Sequence, residues 1–270
     1  MLGHDPSIGG GKMSVPEYRV LFTVDIEDYS SRKDAEQRTL QTALDRALDD
    51  AADRARLDRR AWRRQYTGDG VNVTLPRGAD VGRLMDEFVR ELDAGLAAYN
   101  RRRAEETWTR LRVRMAVHVG LIHLDGAMGW PGRHAVQPAR LRDSEPLRAA
   151  MRARPEADLG VIVSSEIYND YISQGPGRPQ ATEFQAVRVE VKKQRYTAYL
   201  YMPGFRPEDI PELAAYAPEE GAEGGEPPRT APQPRDAGSP AAPSQVQATN
   251  VAYGGDAFGG DKVLGDKHVH

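Results

Sequence analysis

Two short runs between Tyr18 and Pro76 constrain this chain more than any other part of it. The first, Val20-Leu21-Phe22-Thr23-Val24-Asp25-Ile26-Glu27-Asp28-Tyr29, is almost continuously apolar until it meets a carboxylate. Such a run fits a central strand buried on both faces. The second, Gln65-Tyr66-Thr67-Gly68-Asp69-Gly70-Val71-Asn72-Val73, sets Asp-Gly between β-prone arms, a strong hairpin signal. Asp25 and Asp69 are therefore both expected at strand ends. Taken singly, Asp25 caps a turn and Asp69 serves its own hairpin. Taken together, two carboxylates delivered this way can hold a pair of divalent cations, because hard cations take carboxylate oxygens.

The other elements follow from periodicity. A helix is expected from the Ser31-Arg32-Lys33-Asp34 cap to about Leu57, with Leu40, Leu44 and Leu48 on one face. A second helix follows Asp80, where Val81, Leu84, Met85, Phe88, Val89, Leu92 and Leu96 fall at helical spacing. Leu111 to Val119 reads as a strand, followed by a Gly-rich loop over Asp125 to Gly132. Helical segments are expected over His134 to Leu141 and Glu145 to Met151, then a strand over Gly160 to Ser164 and a short helix to Ile172. Phe184 to Val191 and Arg195 to Met202 read as a final hairpin. The alternation predicts an α+β domain over 17–205, a sandwich with helices covering one face of a mixed sheet. Residues 1–16 read as a disordered leader, and 206–247, rich in Pro, Ala, Glu and Gly, as a linker.

Composition removes several function classes. With 37 Lys and Arg against 40 Asp and Glu there is no global basic field, so a nucleic-acid partner is not expected. The absence of cysteine excludes disulfides and thiolate metal sites. No apolar run suits a signal peptide or a membrane span, so the expected setting is soluble and cytoplasmic. His118, on a strand among apolar neighbours, reads as a core histidine. Arg56 to Arg64 reads as a solvated face, and Glu27 and Asp28 as solvated rather than ligating.

Four of these pieces carry a resemblance. The run Leu21 to Tyr29, the turn Thr67-Gly68-Asp69-Gly70, the strand Leu111 to Gly120 and the segment Gly132 to Leu141 resemble the catalytic domain of class III nucleotidyl cyclases, in order and at plausible spacing over Tyr18 to Pro203. The resemblance implies a ferredoxin-like fold, with two copies paired head to tail around a shared site. It implies that Asp25, Asp69 and the carbonyl of Ile26 bind two divalent ions, Mg2+ or Mn2+. Arg140 of a second subunit would then face charge developing at the α-phosphate of a nucleoside triphosphate. Lys192, Lys193 and Arg195 match the basic stretch near the pyrophosphate. An equally simple reading makes Arg140 a surface residue.

Three positions depart from the family. Its adenine-reading Lys, four residues before the second metal Asp, stands here as Gln65. The family's Asp three residues before its pattern Gly falls on Gly129, and its ribose-orienting Asn on Val136, with Gln137 one residue away. The base is therefore not transferable. The resemblance implies a homodimeric cyclase forming a 3′,5′-cyclic nucleotide and pyrophosphate, in signalling or defence. The alternative is a degenerate cyclase-homology domain that binds nucleotide or only dimerises.

The last segment is different. Gly254-Gly255-Asp256-Ala257-Phe258, Gly259-Gly260-Asp261-Lys262-Val263 and Leu264-Gly265-Asp266-Lys267-His268 repeat at five residues with Gly-Asp in register. Residues 248–270 are similar to the Gly-rich tails of bacterial amyloid-type signalling motifs, which implies a receptor protein with a matching motif as partner. A plain disordered tail is the competing reading, since Gly and Asp form strands poorly.

Overall fold

The computed structural model describes residues 15–105, 107–127, 129–191 and 194–218. Lys192, Lys193, the leader up to residue 14 and the chain from 219 onward, including the repeat tail, lie outside the described residues.

Strand β1 (Glu17–Ile26) lies between β3 (Gly70–Thr74) and β4 (Val113–Ile122), antiparallel to both. β2 (Arg63–Tyr66) extends the sheet beyond β3 as its hairpin partner. β1 and β2 are thus parallel with β3 between them, and β3 and β4 are parallel with β1 between them. Each parallel pair needs a crossover, because parallel strands cannot be joined by a tight turn. Helix α1 (Asp34–Arg54) supplies the first. A continuous helix supplies the second, in which α2 (Val81–Arg83) and α3 (Val89–Arg102) flank a π-turn over Leu84–Phe88. These two interleaved β-α-β units are the ferredoxin-like arrangement. On the far side β4 pairs in parallel with β5 (Leu159–Ser164) through α4 (Arg133–Arg142) and α5 (Glu145–Ala153). The hairpin of β6 (Gln185–Val191) and β7 (Gln194–Tyr201) closes the edge, giving a seven-stranded order β2-β3-β1-β4-β5-β7-β6. Within the β5–β6 connection a short helix, α6 (Ser165–Ile167), runs into a π-turn.

Helices cover both faces, which corrects the one-face expectation. The reason lies in alternation along β1 and β4. Val20, Phe22, Val24, Val113, Met115 and Val117 point to the α1/α3 layer, where they join Leu40, Leu44, Leu48, Leu92 and Leu96. Phe22, Trp62 and Phe88 form an aromatic trio there, with centroids 5.3–5.8 Å apart. The opposite face carries Ala116 and Ile162, which pack against Leu141, Leu147, Ala150 and Met151 of α4 and α5. A strand buried on both sides is what the unbroken apolar run of β1 anticipates.

Packing also continues past position 205. Short 3-10 turns span Pro207–Asp209 and Pro211–Tyr216, and Ile210 and Leu213 are buried with the α5 layer. Arg59 is not on a solvated face. It is buried and paired with Asp45 at 2.6 Å and with Asp49, both on α1. Among the described residues no helix is long and apolar enough to cross a membrane.

Candidate active site

The two aspartates meet at one end of the sheet. Asp25 is the ladder partner of Gly70, and the Ile26 amide donates to the Asp69 carbonyl at 3.0 Å. The approach is close enough to require glycine at 70, where an added Cβ would lie 1.9 Å from the Val24 carbonyl oxygen. Gly68 supplies the positive φ of the turn, at 88°. The Thr67 hydroxyl donates to an Asp69 carboxylate oxygen at 2.9 Å and orients it.

Asp25 is the more constrained of the two. Its side chain lies on the α4 face of the sheet and is 1 % exposed. The Arg114 guanidinium, one strand over on β4, grips it with bonds of 3.0 and 2.5 Å. Arg142, at the end of α4, adds an ion pair at 3.3 Å. Arg142 also donates to the Thr23 hydroxyl at 3.1 Å and to both oxygens of Asp143. Burial pushes the Asp25 carboxyl up from its ordinary range, and the two guanidiniums pull against it. Glu27, read from sequence as solvated, is half-buried and ion-paired with Arg112 at 2.5 Å.

Arg114 and Arg142 are the residues that sequence reasoning missed. A buried carboxylate calls for a buried cation, but alternation along β4 places Arg114 on a face that the sequence leaves to solvent.

The remaining candidates divide into three groups. Gln65 and Gly129 are brought together, since a Cβ on Gly129 (φ 127°) would lie 2.7 Å from the Gln65 amide nitrogen. On α4, Val136 is 42 % exposed and Arg140 is half-buried, with no ion-pair partner among the described residues. Gln137 turns inward, 6 % exposed, and its Oε1 finds no partner among the described residues, so it does not share the outer face with Val136. Arg195, second residue of β7, lies at the opposite end of the sheet from Asp25 and pairs with Glu190 at 3.3 Å.

The N-terminal end of α4 is fixed by a histidine pair. His118 Nε2 and His134 Nδ1 are 2.9 Å apart with nearly parallel rings, and Gly120 leaves room for the His134 ring. Glu166 lies 3.8 Å behind His118. Burial pushes His118 down to about 4, against the pull of Glu166, and lowers His134 as well.

The donor set suits hard cations in type: two carboxylates and the Ile26 carbonyl. No group of three or more His, Asp or Glu side chains within metal-holding reach occurs among the described residues. Mg2+ is commonly held by one or two carboxylates together with substrate phosphates, so two aspartates are a sufficient protein contribution.

Neither a family model nor a curated protein matches this chain. Solved structures do. A guanylyl cyclase, Cya2, aligns at TM-score 0.49 and 11% identity, over 69% of this chain and 91% of that one. A bacterial light-regulated adenylyl cyclase aligns at 0.48 and 12%, over 73% of this chain and 57% of that one. An adenylate/guanylate cyclase/hydrolase from Silicibacter pomeroyi aligns at 0.47 and 15%, over 71% of this chain and all of that one.

Proposed function

We propose that this domain is a nucleotide cyclase of the class III type, acting as a homodimer on a nucleoside triphosphate. The observation that carries the reading is the β1–β3 register, which sets Asp25 beside the Asp69 turn with Ile26 between them. These three residues would hold the divalent ions. Bound ions would supply activation of the ribose 3′-hydroxyl and neutralisation of the triphosphate. The chain's own residues do the positioning. Thr67 orients Asp69, and Arg114 fixes the Asp25 rotamer. Gln65, against Gly129, presents an amide donor and acceptor to the edge of a base. Arg140 serves a site completed by the second copy, where a preorganised donor is worth about 2.7–4 kcal/mol of barrier. Residues 248–270 recruit the enzyme to a receptor protein.

A second reading has its own support. Both Asp25 oxygens are occupied by guanidinium, and Val136 offers no hydrogen bond to a ribose. These favour a degenerate domain that binds nucleotide or dimerises without turnover.

The test incubates the full chain with ATP, GTP, CTP or UTP plus Mn2+ or Mg2+, with products identified by mass spectrometry. A cyclic nucleotide that disappears in Asp69→Ala supports the cyclase. No cyclic product from either protein overturns it in favour of the second reading. Deleting 246–270 is expected to abolish co-assembly with a partner and leave the dimer intact; retained co-assembly overturns the role of the tail.

A further inference from the structure

The opposite side of the molecule carries a second candidate site. Helices α1 and α3 pack side by side through Leu40, Leu44, Leu48, Leu92 and Leu96. Above that contact the facing residues are small: Ala43 and Ala47 on α1 and Gly95 on α3. Small residues leave the helix surfaces apart, and a groove of about 450 Å³ opens between them. That volume lies within the roughly 300–1,000 Å³ of small-molecule sites. A Cβ added at Gly95 meets nothing within 4 Å, so the floor there is open.

The walls are basic. Arg38, Arg46, Arg102 and Arg103 line the groove with Thr39 and Thr42, and Asp50 is the one acid among its lining residues. This is a local exception in a chain of net charge −3. Three other acids of α1 are committed elsewhere: Asp45 and Asp49 hold Arg59, and Glu36 caps its own helix. Arg38, Arg46 and Arg102 make no ion pair with any described residue. Arg103 lies 5.1 Å over the Tyr99 ring, so that aromatic face already has an occupant.

We propose that this groove binds a polyphosphate anion, reading its phosphates rather than a base. Guanidinium forks match phosphate oxygens in pairs, whereas the Thr39 and Thr42 hydroxyls donate to the Ala35 and Arg38 carbonyls of their own helix. No base-reading element accompanies them, since the Tyr99 face is covered. The groove lies on the α1/α3 side of the sheet and Asp25 on the α4 side, and this inference does not rest on the cyclase reading.

Isothermal titration of the full chain in EDTA tests it, because chelation removes any contribution from metal held by Asp25 and Asp69. Inorganic tripolyphosphate and ATP are expected to bind alike, adenosine not at all, and added NaCl to weaken both anions. The double variant R46E/R102E and the uncharged plug Gly95→Leu are each expected to weaken binding at least tenfold, with wild-type circular dichroism. Absence of tripolyphosphate binding overturns the proposal. So does binding that survives Gly95→Leu, which would mark a diffuse charged face rather than a groove. ATP binding without tripolyphosphate binding, or an oligonucleotide that binds where tripolyphosphate does not, overturns it too.

Discussion

Replacing Asp25 by asparagine tests the charge logic of the candidate site directly. The substitution keeps the shape and one acceptor oxygen but removes the only carboxylate within ion-pair distance of Arg114 among the described residues. Arg114 has a side chain only 12% exposed, so its charge is left in a poorly solvated place. Breaking a buried pair by removing one partner costs roughly 3–5 kcal/mol. Arg142 retains Asp143 at 3.0 Å and the asparagine oxygen still accepts one bond, which places the expected loss at the lower end, about 3 kcal/mol. For a body of this size that is a fall of about 6–12 °C in Tm. Urea unfolding followed by circular dichroism measures it, with an unchanged m-value showing that only stability moved. The double variant Asp25→Asn/Arg114→Met removes the stranded charge along with its partner. It is expected to be more stable than Asp25→Asn alone, a coupling that a merely steric effect would not produce. An Asp25→Asn protein within about 1 kcal/mol of wild type, with additive double-variant losses, would refute the argument that Asp25 is a charge anchor.

Three further outcomes follow from the same kind of reasoning. Asp93, on α3, is raised to about 6 by burial and by Asp158, so its ionised form is penalised in the fold. The penalty is absent below the ordinary carboxylate range and complete above pH 6; Asp93→Asn is therefore expected to stabilise by up to about 3 kcal/mol at pH 7 and by nothing at pH 3, read by urea unfolding at both. His118 behaves oppositely: its value is lowered to about 4, so its contribution is full above pH 6.5 and drains away as pH falls. Between pH 8 and pH 5 wild type is expected to lose about 2 kcal/mol that His118→Gln does not, and equal slopes would contradict this. Gly70→Ala puts a methyl 1.9 Å from the Val24 carbonyl oxygen, forcing β3 away from β1 at a cost of about 1–3 kcal/mol; unchanged thermal unfolding would count against the close strand approach.

How far the sequence could be read depends on whether the signal was local. β1, the Asp69 hairpin and the two crossover helices were legible because each carries its own periodicity or turn chemistry. Asp80, expected at a helix start, does cap α2 by accepting from the Arg83 amide at 2.9 Å. Arg114 was not legible as a partner of Asp25, because alternation marks it as a solvent-facing position. Only the unexpected cover of α4 makes that face an interior. The same cover hides Arg142, which in a helix ending Arg140-Leu141-Arg142 looks like a residue complementing the helix dipole. Ile210 and Leu213 were lost for a different reason. Two apolar anchors in a Pro- and Glu-rich stretch do not move its composition, yet they suffice to seat it against α5.

Helix α4 is where these threads join. Its C-terminal end is tied to β1 by Arg142, through Asp25 and Thr23. Its N-terminal end is tied to β4 by the His118–His134 pair. Between the ties the buried Gln137 Oε1 has no partner among the described residues, and neither has Thr74 Oγ1 on the same sheet face. Buried polar atoms left unpaired each cost about 1–3 kcal/mol, so the two polar ties matter beside the apolar packing of Leu141. The second tie joins two histidines whose values burial lowers, so it responds to protons. The outer side of α4 carries Val136 and Arg140, the residues that a second copy would meet in the cyclase reading. The helix on which completion of the site would depend in that reading is therefore anchored by polar contacts at both of its ends.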